Sequence, residues 1–90
     1  MKAADYLSEA KAIIGDRQED YGHPTDTMQR TARLWEAYLE MPIAPHQVAV
    51  CMAMVKIARS MDSNKADNWI DAAGYVAIAA QTQEGDDLYV

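Results

Sequence analysis

Phenylalanine is absent from this chain, and cysteine occurs once, at position 51. A single thiol excludes an intrachain disulfide framework, so apolar contacts must hold the fold. Those contacts have little bulk to draw on, because the hydrophobic half of the sequence is rich in alanine and carries six methionines. Basic residues are also short, giving a formal net charge of -6 over 90 residues. That balance argues against a protein that grips duplex nucleic acid through phosphates, while leaving room for a local cationic pocket that takes one small anion. No run is long and apolar enough to cross a bilayer, since Val48 to Met61 is short and interrupted by Lys56 and Arg59. The start Met1-Lys2-Ala3-Ala4-Asp5 lacks the apolar core of a secretory signal, so a cytoplasmic location without a membrane partner is expected. No glycine-flanked serine elbow and no glycine-rich phosphate loop occurs, and nucleophilic catalysis finds no support.

What is present is helical periodicity. The spacing predicts one domain, residues 1–90, built as an all-α compact bundle of about four helices. The first is expected from Ala3 to about Ile14, with Tyr6, Leu7, Ala10, Ile13 and Ile14 as its apolar stripe and Gly15 as its cap. A polar stretch, Asp16 to Pro24, follows. Thr25 or Asp26 can cap a second helix reaching about Met41, with Met28, Ala32, Trp35 and Leu39 on its buried face. Pro42 ends it, and Pro45 suits the first turn of a third. Val48 to Met61 is apolar nearly all round, as a central helix is. The fourth helix is expected from Lys65 to about Thr82, with residues 85–90 as a mobile acidic tail. Gly74 lies inside that helix at a cost of roughly 1 kcal/mol against alanine, for which close approach of another backbone is the expected reason. A chain this short, with so many small side chains, is expected to complete its core as a homo-oligomer.

Two constellations carry the chemistry. Asp67 and Asp71 stand one helical turn apart on one face, and Lys56 and Arg59, spaced i and i+3, share a face of the preceding helix. Charges in apolar helices must be paired or bound, so the four form either an interhelical ion-pair network or a polar site. For a phosphate, Lys56 is a point charge and Arg59 a fork; for magnesium, Asp67 and Asp71 are oxygen ligands. The second constellation is Arg17-x-x-Asp20-Tyr21-Gly22-His23. Its plain reading is a polar turn, and its functional one a pocket cover in which Arg17 holds an anion, Tyr21 stacks on a base and His23 exchanges a proton. Glu36 and Glu40 read as a solvated helix face.

Arg17-x-x-Asp20-Tyr21-Gly22, Leu34-Trp35, Val48-Ala49 leading to Lys56-Ile57-Ala58-Arg59, and Asp67-x-x-x-Asp71-x-x-Gly74-Tyr75 together resemble a family of small phage-encoded helical proteins of uncharacterised function. That family is similar to the nucleotide-modification-associated domain of phages and, more remotely, to the MazG-like nucleoside triphosphate pyrophosphohydrolases. The remote similarity implies a helical oligomer with a nucleotide pocket and magnesium held by a Glu-x-x-Glu helix followed by a Glu-x-x-Asp helix. Asn68-x-x-Asp71 stands where the second motif falls, whereas Lys56 and Arg59 replace the first. Cations in place of metal ligands favour direct capture of an anion over hydrolysis.

The expected function is therefore binding of a phosphorylated nucleotide or nucleotide-derived signalling molecule in a charged pocket between helices or subunits, as in phage nucleotide sequestration or as a modification accessory inside an infected bacterial host, without hydrolysis and with no cofactor required. Arg17, Asp20, Tyr21, His23, Lys56, Arg59, Asp67, Asp71 and Tyr75 are the expected ligand-binding residues. The alternative is a magnesium-dependent MazG-like pyrophosphohydrolase, with Asp67 and Asp71 holding the metal. A structural helical interaction module ranks third.

Overall fold

The structure, a computed structural model, describes residues 1–87, those of 86 and 87 as backbone only. Four helices make up the described chain, with no strand among those residues: α1 Ala3–Tyr21, α2 Pro24–Leu39, α3 Pro45–Ser60 and α4 Ala66–Asp87. No helix is long and apolar enough to cross a membrane among the described residues.

The first helix is longer than expected. Gly15 does not end it, because a glycine can keep helical angles and the following Arg17, Gln18 and Glu19 favour a helix. Gly22 ends it instead, at φ 82° and ψ -169°, a conformation open in practice to glycine alone. Its N–H donates to the carbonyl of Gln18 at 2.9 Å. Pro24 then opens α2, where its missing N–H costs nothing, and the cap is His23 rather than Thr25 or Asp26. His23 Nδ1 accepts the Thr25 N–H at 3.2 Å.

At its other end α2 stops at Leu39, and Glu40 takes the left-handed conformation, φ 54° and ψ 44°. Pro45 begins α3 as its position predicts, and Gln47 Oε1 accepts the Ala44 N–H at 2.8 Å. The fourth helix runs on past Thr82 and Gly85 to Asp87, so residues 85–87 belong to it. Residues 88–90 of the expected tail lie outside the described residues.

The third and fourth helices form the most extensively packed pair, with α1 laid mainly on α4 and α2 mainly on α3. Met28, Ala32, Val48, Ala49 and Ala79 form the central cluster, against which Trp35, Ile43, Met52, Tyr75 and Ile78 pack. Trp35 is thus a core side chain, in the phase its spacing with Met28 and Ala32 predicts, whereas Leu39, expected on the same buried face, is exposed at the last residue of the helix. Among the described residues, six of the nine buried apolar ones are alanines, leaving Met28, Val48 and Ile70 as the larger ones. Such a core removes little apolar area from water, and apolar area is the main favourable contribution to folding. Cys51 is half-buried rather than enclosed. Although α3 is apolar nearly all round, one side of it faces solvent, and Val50, Met54 and Ile57 there are exposed.

Candidate functional site

A cleft of about 370 Å³ opens between α1, the start of α2 and α4. The lengthened α1 makes it. Ile14, Arg17, Gln18 and Tyr21 follow at i, i+3, i+4 and i+7, so continuing the helix past Gly15 turns them to one side. Across from them, Asp71, Gly74, Tyr75 and Ile78 repeat the same spacing on α4, with Ile70 beside them. The floor is apolar, with Ile13, Ile14, Ile70 and Ile78 contributing, and Gly22, Pro24 and Thr27 close one side.

Polar chemistry is gathered at Asp71. Its carboxylate, with the side chain 13% exposed, meets Lys56 Nζ from α3 at 3.1 Å through Oδ2. Its other oxygen, Oδ1, faces Arg17 Nη2 from α1 at 3.6 Å. Lys56 is also largely withdrawn from solvent, at 16%, whereas Arg17 is half in water at 52%. The close pair is a fixed tie between α3 and α4. The longer one lies beyond good hydrogen-bond geometry, and half-exposed ion pairs contribute little, so Arg17 can leave Asp71 for another anion at small cost.

Of the residues expected at the site, Arg17, Tyr21, Asp71 and Tyr75 line the cleft, and Lys56 reaches it through Asp71. The others do not join it. Asp20 is exposed outside the cleft, and His23 is exposed as the cap of α2. Arg59 and Asp67 are exposed, and neither forms an ion pair among the described residues. The expected quartet is therefore a trio of Arg17, Lys56 and Asp71. Helix-end geometry explains the loss: Arg59 falls in the last turn of α3 and Asp67 in the first turn of α4, where charges suit the helix dipoles and side chains escape to water. Among the described residues, no group of three or more His, Cys, Asp or Glu side chains is placed to hold a metal ion.

The reading of the residues missed Gln18, Thr27 and the isoleucine floor. The signal was there, since Ile14, Gln18 and Tyr21 share a face once Gly15 is allowed inside the helix. Gly74 also has a different reason from the one expected. A Cβ built on it lies 3.7 Å from Ile14 Cγ1 and 3.8 Å from Cδ1, ordinary contacts with a side chain, so no backbone crowds it.

Glu36 keeps the expected solvated face, paired with Arg33 at i, i+3, and is in addition a clamp. Arg33 Nη1 donates to its Oε1 at 2.8 Å, and the Ile43 N–H donates to its Oε2 at 3.2 Å. The hydrogen bond from Arg33 first, and that from Ile43 second, hold its pKa below the ordinary carboxylate value. A second, shallower hollow of about 420 Å³ lies beside this turn, lined mostly by apolar groups such as Trp35, Leu39, Ile43 and Val50.

Fold and cleft together define a small all-α protein with a mainly apolar cleft charged at one end. Residues 5–83 match a family described as a domain of unknown function, DUF6378, and the chain belongs to that family. It is 38% identical over 84 residues to the Gene 55 protein of Mycobacterium phage L5, covering 90% of this chain and 54% of the relative. It is similarly 36% identical over 80 residues to the Gene 55 protein of Mycobacterium phage D29, covering 87% and 53%. The chain thus spans about half the length of these curated relatives. No solved structure matches it.

Proposed function

We propose that the cleft binds a phosphorylated nucleotide or nucleotide-derived signalling molecule and holds it without hydrolysis. The observation that carries this reading is the meeting of Arg17, Tyr21 and the Lys56–Asp71 pair over an apolar floor in one cleft. Arg17 supplies the mobile cation for a phosphate, and a planar fork suits phosphate oxygens. Tyr21 is 76% exposed at the rim, free to close on a base by stacking. Asp71, held in place by Lys56, accepts hydrogen bonds from the sugar or base. A cleft of this size, apolar with a few convergent polar groups, is the usual form of a small-molecule site.

The resemblance to the nucleotide-modification-associated domain and to MazG-like proteins supports the same ligand class. Its hydrolytic version lacks support in the donor set. Both oxygens of Asp71 face cations, and Asp67 stands outside the cleft, so magnesium ligands must come from elsewhere.

The test is to incubate the protein with a nucleotide panel, remove free ligand, release the bound fraction by heat and identify it. Intact nucleotide retained by the wild type and lost about tenfold in Tyr21→Ala supports the proposal, stacking being worth roughly 1–3 kcal/mol per base. A cleaved product supports the pyrophosphohydrolase instead. No retention and no turnover across the panel overturns both.

A further inference from the structure

The protein exposes more surface than its mass accounts for. Its accessible area is 6487 Å² for 10.0 kDa, about a quarter above the roughly 5,200 Å² that scaling gives a compact monomer of that mass. Its radius of gyration, 13.7 Å, likewise exceeds the roughly 12 Å for a compact domain of this length. The excess is of the order of the ~800 Å² that each partner hides in a standard protein contact.

Part of that surface is apolar on α2, at Leu34, Tyr38 and Leu39, and part on the outer side of α3. Val50, Met54 and Ile57, with Met61 at the C-cap, follow at intervals of four, three and four, the spacing of a coiled-coil seam. They point away from Val48 and Ala49, which α3 buries toward its neighbours, while buried Ala53 lies at the edge of the seam. The partner helix repeats the pattern. Trp69, Ala73, Val76 and Ala80 keep the same intervals on the side of α4 opposite Ile78 and Thr82, and Trp69 and Val76 are exposed.

We infer that the outer seams of α3 and α4 are the docking surface for a second copy of this chain. Two such hairpins brought together make a four-helix contact. A seam with 3-4 spacing is complementary to itself, so a two-fold axis can satisfy it without any other protein. Beyond Val50 its neighbours on α3 are Cys51, Ala53, Ala58 and Ser60, all small and uncharged, which lets two chains of the same net charge approach closely there. The core argues the same way: with six alanines among its nine apolar members, it gains most from an added apolar layer. This inference does not depend on what the cleft binds.

Sedimentation of the wild type, Met54→Glu and Leu34→Glu at micromolar concentration tests it, with helicity monitored by circular dichroism. Leu34 is exposed on α2, away from the seam, and serves as the control. The expected result is twice the monomer mass for the wild type and Leu34→Glu, and monomer for Met54→Glu, an association weakened at least tenfold. A wild-type monomer overturns the inference, as does a Met54→Glu protein that still associates. Peroxide footprinting of the wild type reads the same surface without a substitution. Met54 and Met41 are similarly exposed in one chain, at 53% and 54%. Oxidation of Met54 is expected to slow several-fold relative to Met41 as concentration rises, and equal rates throughout overturn the seam.

Discussion

Asp71 and Glu36 each hold two partners, yet the partners of Asp71 come from two other helices while those of Glu36 lie within seven residues along the chain. The first carboxylate is largely withdrawn from water and borders a cleft; the second is partly exposed and closes the turn between α2 and α3. A local clamp needs only short reach and survives in solvent. A bridge across three helices takes charges out of water, which is tolerated only if the partners stay paired. The difference separates a polar group that shapes a site from one that shapes a loop.

The largest effect is expected at Asp71. Replacing Asp71→Ala strips Lys56 of its partner in a mostly buried position, and a loss of about 2 kcal/mol or more in unfolding free energy is expected by chemical denaturation. Adding Lys56→Met removes the orphaned cation and is expected to restore part of that loss, whereas the corresponding double change at Arg33 and Glu36 restores little. Equal coupling at the two pairs breaks the comparison.

A smaller effect is expected at Glu36, and it carries a pH signature. Because the pKa of Glu36 is lowered in the folded chain, its contribution is fully present above the unfolded value near 4.5 and is lost as pH falls through the lower folded value. Glu36→Gln is expected to reduce the melting temperature slightly at neutral pH and to leave no difference from wild type at the acid end of that window. Thermal melts from pH 7 down to 3 measure it. A constant offset at every pH removes the charge from the explanation.

The smallest effect is expected at Arg59. On an exposed last turn without an ion pair among the described residues, Arg59→Met is expected to change stability by less than about 0.5 kcal/mol, as surface substitutions do. Nucleotide retention should be unchanged. A loss as large as that of Asp71→Ala returns Arg59 to the charged site.

The helical content, the four segments and the roles of Pro45 and Trp35 were legible in periodicity and in the fixed geometry of proline. The cleft was legible in part. Asp71, Lys56, Arg17, Tyr21 and Tyr75 stood out by residue type. Which acid of the Asp67/Asp71 pair is enclosed was not, because helix periodicity sets a face and not a depth. Depth depends on where the neighbouring helix ends, and α3 ends before it can cover Asp67. Gly15 misled for a related reason, since a glycine permits a helix to stop without requiring it. The clamp at Glu36 was hidden because its second partner is a backbone N–H beyond a proline-containing turn.

Gly74 lines the cleft at a position where a methyl group would meet Ile14 at comfortable distances. Alanine there would favour α4 by roughly 1 kcal/mol. The chain therefore stands short of the firmest helix its own packing permits, and it does so at a residue that lines the charge-ended cleft. A single common substitution would trade a few cubic ångströms beside Ile14 for a firmer helix.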